Sequence, residues 1–288
     1  MNLKKWPQSQ LLWFSRLVVY AIKSDRRISP IEIDYLGRIV QLIEDEEQRS
    51  ELLDLVDSDQ PAPLPQPPDL SPQTRAAVFT ELGALLVADF DFDQAERDFL
   101  LVLSGQFRFS SKYAEELMAW CNQGCLWKRI QLSLLGLSGP EDRAPVIPVD
   151  DFSMEQRLWY AEVCVIAIVI DGRITDEEVA MLRTTLGFVE NKVEAENLIN
   201  YIKIRLRPQV RQPSGISDEA LRLIYFEMIT HFVLQFQMSD KEQVFIRQLA
   251  SLSGLNNDLL QKSLNWWKMG LEWRKHSLDL VQQVELAE

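Results

Sequence analysis

A short pattern recurs four times along the chain: an acidic residue, an apolar residue three positions on, a glutamate at seven, and an apolar pair at ten and eleven. It reads Asp25, Ile28, Glu32, Tyr35-Leu36, then Asp89, Phe92, Glu96, Phe99-Leu100. The third copy is Asp171, Ile174, Glu178, Met181-Leu182, and the fourth is Gln235, Met238, Glu242, Phe245-Ile246, with the first acid lost. The first two anchors lie 64 residues apart, as do the last two, and the halves are offset by 146. That offset, without a gap, also pairs Leu12-Trp13 with Leu158-Trp159, Trp120 with Trp266, Gly124 with Gly270 and Trp127 with Trp273. A chain of this kind is a duplication, and each half holds two related units.

Each unit reads as helix, tight turn, helix. Apolar residues before the turn recur at steps of three and four, as in Leu17, Val18, Ala21 and Ile22, and again after it in Ile31, Tyr35, Leu36 and Ile39. No stretch alternates in the manner of a strand, so the expected fold is all-α: two tandem helical bundles, each made of two related helix-turn-helix units. Expected boundaries are 1–130 for the N-terminal domain, 131–152 for a linker, 153–276 for the C-terminal domain and 277–288 for a tail. Within the first domain, residues 57–70 carry five prolines and cannot be helical. The matching stretch of the second domain is basic, with Lys203, Arg205, Arg207 and Arg211 where the first has Asp57, Asp59 and Asp69, which makes those four the expected partner-binding residues.

Composition narrows the function classes. With 288 residues and 47% hydrophobic content there is enough apolar material for two cores. A formal charge of −13, spread over both halves, argues against nucleic acid as a partner. Cys121, Cys125 and Cys164 are odd in number and lack scaffold spacing, which suits a reducing compartment. The first residues lack a signal-peptide h-region, and the longest apolar run, Val163 to Ile170, is too short to span a membrane. The expectation is a cytoplasmic chain without a transmembrane segment; peripheral membrane contact stays open.

The recurring Glu has a structural explanation, because Ser29-x-x-Glu32, Asp93-x-x-Glu96, Thr175-x-x-Glu178 and Ser239-x-x-Glu242 read as capping boxes. The recurring Asp is harder to place, since a carboxylate at a helix C-terminus meets the negative end of the dipole. An Asx turn would offset that cost, and so would a divalent cation held by acids from paired units; of the two, the turn is favoured. Asp89 to Asp93 opens like an EF-hand loop, but Gln94 and Leu100 stand where Gly and Glu are needed. The metal candidates are therefore Asp25, Glu32, Asp89, Asp91, Asp93 and Glu96 in the first half, and Asp171, Asp176 and Glu178 in the second, with calcium, magnesium or manganese as the cation.

At Ile170-Asp171-Gly172-Arg173-Ile174-Thr175-Asp176-Glu177-Glu178 the chain resembles the signature of the tellurite-resistance TerB family, an Asp-Gly-x-Ile turn followed by a helix that starts near a Glu. The resemblance covers roughly residues 10–129 and 156–275 and implies a compact bundle of two such units. It further implies a link to tellurite and other stress responses in bacteria, and an acidic metal-binding patch. The chain departs from that pattern at Gln235, and at Arg26, Phe90 and Phe236, which stand where the Gly is expected.

Catalysis finds no motif. His231 and His276 are the only histidines, and no zinc-protease motif, phosphate loop or nucleophile elbow is present. His231, one turn before Gln235, reads as half of a coupled core substitution. Six of the eight tryptophans match across the duplication and read as core, which leaves Trp6 and Trp267, without a Trp counterpart, as the two to test for exposure. The expected function is a noncatalytic interaction or scaffold protein, with protein partners, of a bacterial stress-response or defence system. The alternative is a sensor that binds a divalent cation at the acidic corners.

Overall fold

Local capping signals set where the helices begin. The structure, a computed structural model, describes residues 3–25, 27–58, 64–137, 147–170, 172, 174, 182, 185–209, 215–234 and 239–287. Helix α1 (Gln8–Ile22) follows Pro7. Helix α2 (Pro30–Val40) opens on Pro30 behind a complete capping box: Ser29 N–H donates to Glu32 Oε2 at 2.7 Å, and Glu32 N–H donates to Ser29 Oγ. Asp45 caps α3 (Glu46–Asp57) and Ser71 caps α4 (Pro72–Leu86). Asp93 and Glu96 form the box of α5 (Gln94–Gln106), and Ser110 Oγ accepts from Tyr113 N–H at the start of α6 (Ser111–Leu135).

The second half repeats this order. Ser153 and Gln156 box α7 (Met154–Val169), Asn191 caps α8 (Lys192–Lys203), and Ser217 Oγ accepts from Ala220 N–H in α9 (Asp218–Leu234). Ser239 and Glu242 box α10 (Asp240–Leu252), and Asn256 caps α11 (Asn257–Gln282). The starts of α1, α3, α4, α5 and α6 recur 146 residues later as those of α7 to α11. The starts of α1 and α4, and of α2 and α5, are 64 apart. The chain is all-α, and among the described residues the sole β feature is an isolated antiparallel bridge, Phe109 with Leu286. No helix among those residues is long and apolar enough to cross a membrane.

Contacts divide the chain into two units: Met1–Ile130 together with Glu272–Glu288, and Gln131–Leu271. In the first, α1 packs on α2, α3 and α4, and α4 packs on α5. Phe14, Leu17, Val18, Ile22, Phe79 and Leu82 form its centre and are sealed from solvent. In the second, α7 packs on α8 and α9, and α9 on α10. Ala161, Val165 and Ile168 of α7 there meet Leu198 and Ile202 of α8.

Two segments differ from the sequence reading. The region expected as a linker begins inside α6, which runs to Leu135 and ends at Gly136, whose φ of 79° gives the left-handed cap that glycine adopts freely. Residues expected as a tail belong to α11 and to the first unit, where Leu280 is buried and its carbonyl accepts from Tyr113 Oη at 2.6 Å. Beyond the helix, Ser110 N–H donates to Glu285 O at 3.0 Å and Ala287 N–H to Arg108 O at 2.7 Å. The firmest tie is a stacked tryptophan pair, Trp120 and Trp273, with ring centroids 4.8 Å apart and planes at 6°. Each indole N–H donates to the other residue's carbonyl at 2.9 Å. Gly124 makes room for it, since a Cβ there would lie 2.7 Å from the Trp273 ring. All six matched tryptophans are buried. Trp267, which has no counterpart, is buried as well, and Trp6 packs on Phe14 at 5.8 Å.

Candidate functional site

The recurring Asp and Glu of the first two units come together in the first unit. Asp25 ends the corner after α1 by an Asx turn, its Oδ1 accepting from Arg27 N–H at 2.8 Å, and Asp89 does the same after α4 with Asp91 N–H at 3.1 Å. These bonds offset the helix-end repulsion, which is the turn reading of the Asp. Phe90, next to Asp89, has a φ of 74°, and Gly172, next to Asp171, has 81°. At these two corners a left-handed residue is used whether or not a glycine is supplied. The Phe90 carbonyl accepts from Arg129 Nε at 3.0 Å, and Arg129 Nη2 pairs with Asp91 at 2.8 Å.

Capping alone leaves a glutamate free to stay in solvent, yet Glu32, Glu96 and Glu242 are 4%, 3% and 2% exposed. Burial pushes the Glu32 carboxyl up to about 7, with the charges of Asp89 and Asp25 adding to the effect. Burial raises Asp89 to about 6, helped by Asp25 and Asp91, and raises Glu96 to about 9, helped by Asp89, Asp25 and Asp93. Asp25 is raised by burial, with Asp93 adding to it. Asp25, Glu32, Asp89 and Glu96 thus form one mutually repelling group at the meeting of two related corners. Glu96, the most strongly raised of the four, holds its proton at neutral pH. Among the described residues no three His, Cys, Asp or Glu side chains converge closely enough to hold a metal ion. The second-half candidates Asp171, Asp176 and Glu178 lie outside the described residues.

A second, unanticipated pair of carboxylates sits in the helix interiors. Glu81 accepts from Tyr35 Oη at 2.9 Å, and Glu227 accepts from Tyr160 Oη at 2.7 Å. Glu81 and Glu227 match across the 146-residue offset, and that match is the signal that would have found them. Burial raises the Glu227 carboxyl, while Tyr160 and the charge of His231 oppose the rise. His231 is buried one turn from Glu227; its expected partner Gln235 lies outside the described residues. All three cysteines are free and buried, and desolvation holds their thiols above the usual range.

The basic segment is a turn in the second unit. Lys203, Ile204, Arg205, Leu206 and Arg207 are all exposed, between buried Ile202 and Pro208. Ile204 is 67% exposed and Leu206 54%. Leu206 N–H donates to Tyr201 O at 2.9 Å and Arg205 N–H to Ile202 O at 3.1 Å, a Schellman ending with Arg205 in the left-handed position at φ 53°. Arg207 Nη2 donates to Ile170 O at 3.0 Å, so this arginine also serves the fold. Arg211 lies outside the described residues.

Two open depressions lie among the described helices. One, of about 370 Å³, is bordered by Leu135, Gly136, Asp218, Glu219 and Arg222. The other, of about 420 Å³, lies against Arg16, Glu51, Leu52, Leu55 and Pro65. Neither is lined by a histidine or cysteine. No family model, no curated protein and no solved structure matches the chain.

Proposed function

We propose that the chain is a noncatalytic interaction protein made of two tandem TerB-like bundles, acting in the cytoplasm in a bacterial stress-response system of the tellurite-resistance kind or a defence system. Its docking element is the turn Lys203–Arg207. The observation that carries this reading is the exposure of Ile204 and Leu206 between three exposed cations. A helix C-terminus favours cations, which accounts for Lys203, and the Ile170 carbonyl accounts for Arg207. Neither accounts for two large apolar side chains exposed within one five-residue turn. The buried thiols and the buried His231 favour a noncatalytic role, and free cysteines suit a reducing compartment.

The test is capture of partners from bacterial extract by the immobilised full chain. The double variant K203E/R205E spares the structural Arg207 and is expected to lose the captured material; retention at wild-type level removes the turn from the account. A second reading, a cation-binding sensor, is motivated by the mutual repulsion of Asp25, Glu32, Asp89 and Glu96, which a cation would relieve, although no three of them lie close enough in this structure to hold one. It requires the melting temperature to rise with millimolar calcium, magnesium or manganese, and D25N/D89N to abolish the rise. An unchanged melting temperature rejects it.

A further inference from the structure

We infer that the turn Lys203–Arg207 docks the chain on an anionic lipid surface. The inference rests on the reading of this turn as the docking element and names what it meets. Five consecutive exposed residues stand between buried Ile202 and Pro208, and they alternate cation, apolar, cation, apolar, cation. Their backbone is held by the bonds from Ile204, Arg205 and Leu206 to Asn200, Ile202 and Tyr201, and Arg207 ties the turn to the end of α7. Ile204 and Leu206 are therefore kept in water by a fixed backbone. The same left-handed position is filled by Gly136 at the end of α6, by Gly254 at the end of α10 and by Arg108 at the end of α5, so the ending fixes the backbone of the turn whichever residue occupies it.

Charge selects the surface. Among the described residues no carboxylate pairs with Lys203, Arg205 or Arg207. Glu196, on the same helix, lies roughly 13 Å along the axis from Arg205 at about 1.5 Å per residue, beyond a Debye length of about 8 Å. Among the described residues the turn is thus cationic, in a chain of net charge −13. A patch of this size suits a bilayer, which can be held by a few apolar groups below the headgroups and a few cations among the phosphates, whereas a protein partner would take further surface beside the turn, roughly 20–30 residues a side.

The experiment is co-sedimentation of the full chain with phosphatidylcholine vesicles, with and without about one-third phosphatidylglycerol. Binding is expected only to the anionic vesicles, and raising salt from about 0.1 M to about 1 M should release the chain. K203E/R205E should weaken binding by at least roughly 25-fold, at about fivefold per cation. I204D/L206D should weaken it by about tenfold or more, while L101D/V102D, an exposed apolar pair on α5, leaves it unchanged. The native cysteines are buried, so a maleimide dye on I204C reports from the turn and should shift to the blue on anionic vesicles. Equal binding to both vesicle types, or full binding by I204D/L206D, overturns the inference. If no vesicle is bound while K203E/R205E still loses captured protein, lipid docking is wrong and the interaction reading stands; if neither responds, both fall.

Discussion

At the scale of single residues, the corner after the first helix of a unit is governed by backbone sign and by charge. Gly172 and Phe90 occupy the same place and both have positive φ. A Cβ on Gly172 would meet nothing within 4 Å, so G172A tests the backbone alone. It is expected to destabilise the second unit by about 1 kcal/mol, read as a drop of a few degrees in melting temperature. Phe90 bears that strain with its ring buried and its carbonyl held by Arg129. The glycine was legible as a turn signal, whereas the equivalent phenylalanine was not, because its conformation is imposed by packing. The acids of the first-unit corner set a pH dependence. Asp89, Glu32 and Glu96 bind protons more tightly folded than unfolded, with folded values of about 6, 7 and 9. Their contribution is full below the ordinary carboxylate range and is lost as pH rises through those values. The unfolding midpoint of the first unit should therefore fall between about pH 5 and pH 9. E96Q keeps an acceptor for Asp93 N–H and should flatten the upper part of that fall; an unaltered profile would mean Glu96 is not the group responsible.

At the scale of elements, helix starts were readable because a capping box spans four residues and needs nothing distant. Ser29, Asp93 and Ser239 all cap as their spacing implies. What the boxes did not disclose is that their glutamates are buried, since that depends on where each helix start is packed. The long helices carry the clearest steric test. In G124A the new Cβ would sit 2.7 to 2.8 Å from Trp273 ring atoms, which cannot yield without breaking the stack on Trp120. Overpacking of this kind costs about 1–3 kcal/mol, and the loss should register in tryptophan fluorescence and melting temperature. A wild-type melt for G124A would show that the indole pair does not hold α11 in place.

For the whole molecule, the division of contacts makes the first unit depend on the end of the chain. Trp273, Leu280, Glu285 and Ala287 each make a hydrogen bond to a residue of Met1–Ile130. A chain ending at Leu271 should leave the first unit with a lowered melting temperature and early proteolysis near α6. A synthetic peptide of residues 272–288 added back should raise that temperature in proportion to its binding. An undisturbed first unit after truncation would show that the C-terminal segment contributes nothing to it.

The all-α class and the repeat spacings of 64 and 146 residues were present in the sequence, whereas α3 and α6 and their counterparts lay outside the paired helix-turn-helix reading. Periodicity and caps are short-range properties, each decided within about a dozen residues. Three features were decided by tertiary structure: the gathering of Asp25, Glu32, Asp89 and Glu96, the exposure of Ile204 and Leu206, and the return of Glu272–Glu288 to the first unit. Each depends on which residues far apart in the chain come to exclude water from one another, and a local pattern carries no record of that.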